Sequence, residues 1–447
     1  MLRGETDPDP TDGPRSRWLR LAVVVLVALV VPTVLVSLTV LRHPTFSRLD
    51  EPAHSDYLRR IEDGEVPRVG DKMLEQTVED IQCRTVGGRR NAPCGLPSYS
   101  TELLGANGYQ YEAQQPPLYY VVTAVLRQPA SIGPADDFVT SARLTGVAWL
   151  SSGLLVFFAA CRRLGCRWWP TTLVTLLLGI GPGVLYQTAT INNDAAAILT
   201  GSLALLMFAT LRKRIGLTSL VVWSAAAVAL VLVKPTGVIA ISAAAVGLIV
   251  DAAADRRLCL RSFVAFLVPL AAGLATYLTW GVVRDARARV DYDVVLEALL
   301  SFKMVDHLPL ADVGAALTRF LGAYAPGGLP ISPSYVASAG AILMIFFTAA
   351  GLTSLWMARG GEPAQRLATV ALLAFVVGGP AFTMLFYVDY SVEGGPTPRY
   401  GLSLLPLLFA GGAVTYRTRR GLAALAAAGL LLLVLVVRVI IWPVPPE

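Results

Sequence analysis

The chain has 447 residues, 55% of them hydrophobic and only 15% charged, and its mean hydropathy of +0.59 exceeds what a water-soluble domain needs for its core. The net charge of +6 is divided among short clusters between apolar runs. That pattern argues against a nucleic-acid-binding face and reads as a signal of membrane topology.

The expected fold class is all-α, a polytopic bundle of about eleven transmembrane helices. Residues 1–18 form a basic, cytoplasmic N-terminus in which Arg15 and Arg17 lead, with Arg20 just beyond, into an apolar run. That run is too long for a signal-peptide core, and Leu41-Arg42-His43-Pro44 lacks small residues for cleavage, so 19–41 is expected to be a retained first helix running outward. Residues 42–137 then form a large extracytoplasmic loop. In an oxidising exterior its Cys83 and Cys94 can pair as a disulfide, the alternative being two free thiols, while Cys161, Cys166 and Cys259 lie beside basic clusters and stay reduced.

Within this loop, residues 116–126 are apolar but too short to cross; at about 1.5 Å per residue they span roughly half the hydrocarbon thickness. They are expected to lie at the interface as a helix opened by Pro116 and Pro117. Residues 138–282 carry the second to seventh spans, near 138–160, 169–191, 195–211, 217–233, 236–251 and 262–282. Residues 283–334 form a second outer segment with its own interfacial helices. The last four spans, near 335–357, 366–388, 400–416 and 421–442, fall within 335–447. This assignment puts Arg162, Arg163, Arg167, Arg212, Lys213, Arg214, Arg256, Arg257, Arg261, Arg359, Arg366, Arg417, Arg419 and Arg420 inside and makes the C-terminus extracytoplasmic. Arg284, Arg287 and Arg289 run against the pattern, and Trp442 is expected to mark the outer end of the last helix.

The spans hold almost no ionisable residue near mid-depth, which disfavours a proton-coupled carrier. Polar chemistry gathers instead in the outer loops. Asp50-Glu51-Pro52-Ala53-His54 places two carboxylates near low dielectric, where one can act as a base or metal ligand; alternatively Asp50 caps a helix beginning at Pro52. Tyr109–Tyr120 joins Glu112, Gln115 and Tyr119 to the proline-opened helix, suiting a polar-headed lipid or serving as an interfacial belt. His307 has no companion at ligand spacing, and Asn192-Asn193-Asp194 can be a plain turn.

In this order, Asp50-Glu51, Glu112–Tyr120 and Arg143-Leu144 resemble the GT-C superfamily of polyprenyl-phosphate-sugar-dependent membrane glycosyltransferases, of the protein mannosyltransferase and aminoarabinose-transferase kind. Together with Asn193-Asp194, Lys234-Pro235-Thr236-Gly237 and Pro398-Arg399-Tyr400, they look like a largely uncharacterised family of bacterial membrane proteins within that group.

The resemblance implies a GT-C-like fold in the plasma membrane and an inverting transferase that moves a sugar from a polyprenyl-phosphate donor to an extracytoplasmic glycan, lipid or protein. Because the leaving phosphate is already stable as an anion, one base and cations for the phosphate suffice. The resemblance assigns the base to Asp50 supported by Glu51, with His54, Glu112, Gln115, Tyr119, Arg143, Lys234, Arg399 and Tyr400 around the substrate. Arg399, at the outer end of a helix, is the first choice for the phosphate clamp and Lys234 the second; either can instead snorkel to lipid phosphate. Arg143 can instead pair with a loop carboxylate. No cofactor is firmly implied, but Asp50, Glu51 and Glu112 are the candidate ligands should a divalent cation, Mg or Mn, bind. Two alternatives stay open: a flippase for lipid-linked sugars, and a non-catalytic lipid-binding relative.

Overall fold

The structure is a computed structural model that describes residues 14–47, 50–86, 94, 105–131, 137–299, 303–324, 334–357, 361–393 and 397–441. Among these, seven helices are long and apolar enough to cross a membrane: Trp18–Arg42, Phe138–Arg163, Asn193–Leu211, Gly237–Ala254, Leu260–Arg287, Pro363–Val388 and Arg419–Ile441. The bent pair Trp168–Gly179 and Pro182–Thr188 makes up to eight, and Leu217–Val233 and Ala337–Thr353 are shorter apolar helices. The chain is thus a multi-pass, helical membrane protein; among the described residues the one sheet is a two-residue antiparallel pairing of Lys303–Met304 with Val392–Glu393.

Three departures from the expected spans have local causes. The run 169–191 bends by 59° because Gly181 and Pro182 interrupt the hydrogen-bond ladder, and Pro182 opens the second half. The expected span 400–416 begins instead as a 3-10 segment, Pro398–Leu404, before the helix Leu405–Thr415. The seventh span continues past 282 to Arg287, so Arg284 and Arg287 project from its last turns. Trp442 lies outside the described residues.

Lipid offers helices no hydrophobic drive to associate, so close backbone approach through small residues carries much of the packing. A Cβ on Gly146 would stand 1.8 Å from the Thr188 carbonyl oxygen, and one on Gly201 would stand 2.1 Å from that of Ser403. Leu150, Leu154 and Phe157 of the second span are buried in the same core as Ile198, Leu205 and Phe208.

Side-chain ties sort the connections into two ends. At one, Arg143 reaches His43 and Thr45, Lys234 meets Asp194, and Arg284 meets Tyr390. At the other, Arg212 and Arg366 meet Asp251, and Arg417 meets Glu362. The first loop lies over the former end, with helices Glu51–Glu62, Glu75–Arg84 and Leu118–Ala130, and Cys83 is bonded to Cys94.

Candidate active site

The first helix ends at Arg42, and the chain re-enters helix at Glu51, so Asp50 and Glu51 lie where the loop first meets the bundle. Glu51 is wholly buried, and both its oxygens are taken. Oε1 accepts from Arg143 Nε at 2.7 Å and from the Ile191 N–H at 2.9 Å; Oε2 accepts from Arg143 Nη2 at 2.8 Å and from the Ser47 N–H at 2.7 Å. Arg143 spends its remaining donors on the carbonyls of His43, at 2.6 Å, and Thr45, at 2.7 Å. This forked pair fastens the loop to two spans, fills the lone pairs of Glu51 and engages four of the five N–H donors of Arg143. Arg143 thus makes the alternative pairing with a loop carboxylate, and the two residues hold the loop on the bundle.

Asp50 behaves differently. It precedes the helix at φ 61° and ψ 1°, a left-handed conformation costly for a residue with a Cβ, and its side chain does not cap the helix. The capping alternative is therefore excluded. Its carboxylate instead meets Arg399 Nη2. Arg399 Nε lies 3.2 Å from Asp194 Oδ2, and Asp194 Oδ1 accepts from Lys234, whose ammonium stands 4.9 Å from the centre of the Tyr400 ring. The four charges alternate in sign along a chain drawn from four distant parts of the sequence. Asp194 and Arg399 are buried, whereas Asp50 has 30% of its side chain exposed and so forms the open end. Burial pushes the Lys234 ammonium down, against the pull of Asp194.

Beside this chain lies a buried network from the first loop. His54 Nε2 is 3.7 Å from Glu112 Oε1, and His54 Nδ1 is 2.7 Å from the Tyr120 hydroxyl. Tyr120 stacks on Tyr57 at 3.7 Å, and the Tyr57 hydroxyl donates to the Gln115 carbonyl at 3.0 Å. Gln110 braces the loop, accepting from the Glu112 N–H at 2.9 Å and donating to the Ala53 carbonyl at 2.6 Å. Burial, then the charge of Asp50, pushes the Glu112 carboxyl up to about 8, although Arg399, Lys234 and Gln115 oppose them. Burial and the same two cations hold His54 well below its usual range. Both shifts favour the uncharged forms at neutral pH.

Gln115 reaches the cluster by accepting from Asn193 Nδ2 at 3.0 Å. Tyr119 does not reach it. It is buried between Trp149, at 5.6 Å, and Tyr120, at 5.2 Å, and it is Tyr120 that faces His54. His307 is exposed and meets only Asp306 among the described residues.

Next to Lys234 and Tyr400 opens a cavity of about 460 Å³, lined also by Gln114, Gln115, Trp280 and Arg284. Trp280 Nε1 donates to the Gln114 carbonyl at 2.8 Å, and Arg284 donates to the Tyr390 hydroxyl at 3.1 Å. Neither Trp280 nor Arg284 was reached by sequence reasoning. The signal was the group of arginines that broke the charge pattern. The cavity offers cations and aromatic faces side by side, suited to an anionic head on an apolar or sugar-bearing body.

The residues do not fit a resident cation. Among the described residues no three His, Cys, Asp or Glu side chains gather as a metal group, Glu51 is saturated, and Asp50 and Asp194 are bridged by Arg399.

No protein-family model and no curated protein matches the chain. Solved structures do. ArnT from Cupriavidus metallidurans bound to undecaprenyl phosphate aligns with a TM-score of 0.50 at 15% identity, covering 93% of this chain and 63% of that one. The same protein in the apo state gives 0.49 at 16%, with the same coverage. The archaeal oligosaccharyltransferase AglB from Archaeoglobus fulgidus, in complex with an inhibitory peptide and a dolichol-phosphate, gives 0.48 at 11%, covering 96% and 56%. The chain thus spans less than two thirds of each, and its fold is GT-C-like.

Proposed function

We propose that the chain is a GT-C-type glycosyltransferase of the plasma membrane that transfers a sugar from a polyprenyl-phosphate donor to an extracytoplasmic acceptor, with inversion. The reading places the N-terminus in the cytoplasm and the Asp50 end outside. The observation that carries it is the pairing of an accessible carboxylate, Asp50, with a buried guanidinium, Arg399, linked through Asp194 to Lys234 on the wall of the amphipathic cavity.

In the resting protein Asp50 neutralises Arg399. A donor phosphate would replace Asp50 on the guanidinium, with Lys234 as the second cation, and so release the carboxylate. Asp50 then takes the proton of an acceptor hydroxyl as its oxygen bonds to the anomeric carbon; the bond from that carbon to the phosphate oxygen breaks, and the lipid phosphate departs with the electron pair. Neutral Glu112 adds no negative charge where the phosphate must sit. Glu51 and Arg143 hold Asp50 in place.

The test is transfer of labelled sugar from polyprenyl-phosphate donors in vesicles that carry the full chain or its Asp50→Asn variant. The variant should insert normally and lose transfer. Full activity in it removes Asp50 as the base, and label that crosses the bilayer with its phosphate bond intact would make the chain a carrier.

A further inference from the structure

The far end of the bundle holds a second cavity, of about 230 Å³, where Asn193–Leu211, Gly237–Ala254 and Leu260–Arg287 end or begin. One helix joins the two regions. From Asp194 to Arg212 it rises about 27 Å, close to the thickness of a bilayer's hydrocarbon layer. This cavity therefore belongs to the opposite membrane surface and has no part in the site described above.

Its polar lining is Arg212, Lys213, Asp251, Arg257, Arg261 and Ser262. Asp251 is buried and already committed: it accepts from Arg212 Nε at 2.9 Å and from Arg366 Nη1 at 2.9 Å, with Arg257 at 3.8 Å. Asp255 joins the same network by accepting from Arg366 at 2.7 Å. Lys213 and Arg261 make no ion pair or side-chain hydrogen bond among the described residues. Four cations thus line the cavity against one carboxylate, and adding Arg366 and Asp255 leaves the same excess of three positive charges.

Such an excess around a concave site attracts an anion, and a guanidinium beside an ammonium matches a phosphate. The remaining lining is apolar, with Ile215, Leu248, Ala252 and Ala265. Leu217 and Leu260, each beginning an apolar helix near the cavity, are each 79% exposed. The volume far exceeds the ~30 Å³ share of one water.

We propose that this cavity binds the phosphate head group of one anionic phospholipid from the leaflet opposite the Asp50 site, with Lys213 and Arg261 as its free contacts and Arg212 and Arg257 held ready by Asp251 and Asp255. The same chemistry would accept inorganic phosphate; the exposed leucines favour the lipid as its source.

The test counts lipid retained by the full chain, released from nanodiscs of phosphatidylcholine doped with phosphatidylglycerol, by native mass spectrometry. One phosphatidylglycerol should be retained in saturable fashion. The K213Q/R261Q pair should weaken its retention roughly tenfold or more, and K213R/R261K should restore it. A second pair, R214Q/R256Q, removes equal charge outside the lining and should change little. The proposal is overturned if both neutralised pairs weaken retention equally, since that is diffuse surface attraction, or if K213Q/R261Q retains lipid like the parent. Displacement by millimolar inorganic phosphate at the potency of a glycerophosphodiester would overturn the lipid as the source. Should the double variant unfold, the single exposed change Lys213→Gln carries the same comparison.

Discussion

Glu112 and His54 face each other at 3.7 Å in the interior of the first loop, and both are shifted towards their uncharged forms at neutral pH. A carboxyl whose folded pKa lies above its unfolded value binds more protons when folded. Its contribution is therefore most favourable at acid pH and is lost as pH rises from about 4.5 towards 8. Glu112→Gln should remove this dependence. Thermal unfolding of parent and variant in detergent should diverge from pH 5 to pH 8, the variant gaining relative stability with pH. A constant difference would place the carboxyl in its ordinary range. If transfer is measurable, its alkaline limb should fall with an apparent pKa near 8 and flatten in the variant.

Arg399 bridges two carboxylates through different nitrogens, which a lysine cannot do. Arg399→Lys should preserve the net charge and most of the fold while losing a large part of the transfer rate. Arg399→Ala leaves Asp50 and Asp194 without their shared cation and should cost roughly 3–5 kcal/mol in unfolding free energy. Equal activity of the lysine variant and the parent would show that a point charge suffices.

Glu51 and Arg143 are expected to matter for stability first. Either single change, Glu51→Gln or Arg143→Met, leaves a buried partner unsatisfied, whereas the double change removes both. A double-mutant cycle should give a coupling of roughly 1–3 kcal/mol, with the double variant less destabilised than the sum of the singles. Additive effects would contradict the saturated fork.

Gly201 sets the distance between the helix that begins at Asn193 and the 3-10 segment that presents Arg399. Since its Cβ would approach the Ser403 carbonyl to 2.1 Å, Gly201→Ala must push the two apart. The expected cost is roughly 1–3 kcal/mol or more, with transfer falling further than stability alone accounts for. Unchanged activity at permissive temperature would mean that the cluster tolerates the shift.

Much of this arrangement was readable in the residues, and the unread parts have physical reasons. The helical class follows from hydropathy; Asp50 stands out because a carboxylate near low dielectric is costly, Glu112 and Gln115 because they join a proline-opened tyrosine run, and Lys234 and Arg399 through the family resemblance. Their meeting was not readable, since 349 positions separate Asp50 from Arg399 and only tertiary packing closes that gap. Tyr120 reaches His54 and Tyr119 does not, since one position along a helix turns a side chain by about 100°. Hydropathy also ended the seventh span too early, hiding Arg284 on a helix that runs five residues further, to Arg287. Asn193 and Asp194 looked like turn formers, and they do make a turn; that the turn is buried is what recruits them.

The backbone twist at Asp50 narrows what can stand at that position. Of the twenty residue types, glycine, asparagine and aspartate adopt such a conformation at least cost, and of these only aspartate offers a carboxylate. A lineage drifting away from catalysis would therefore be expected to carry asparagine or glycine there before alanine. Aspartate at position 50 in a newly sequenced homologue thus reports on retained chemistry more sharply than an acidic residue on a relaxed backbone would.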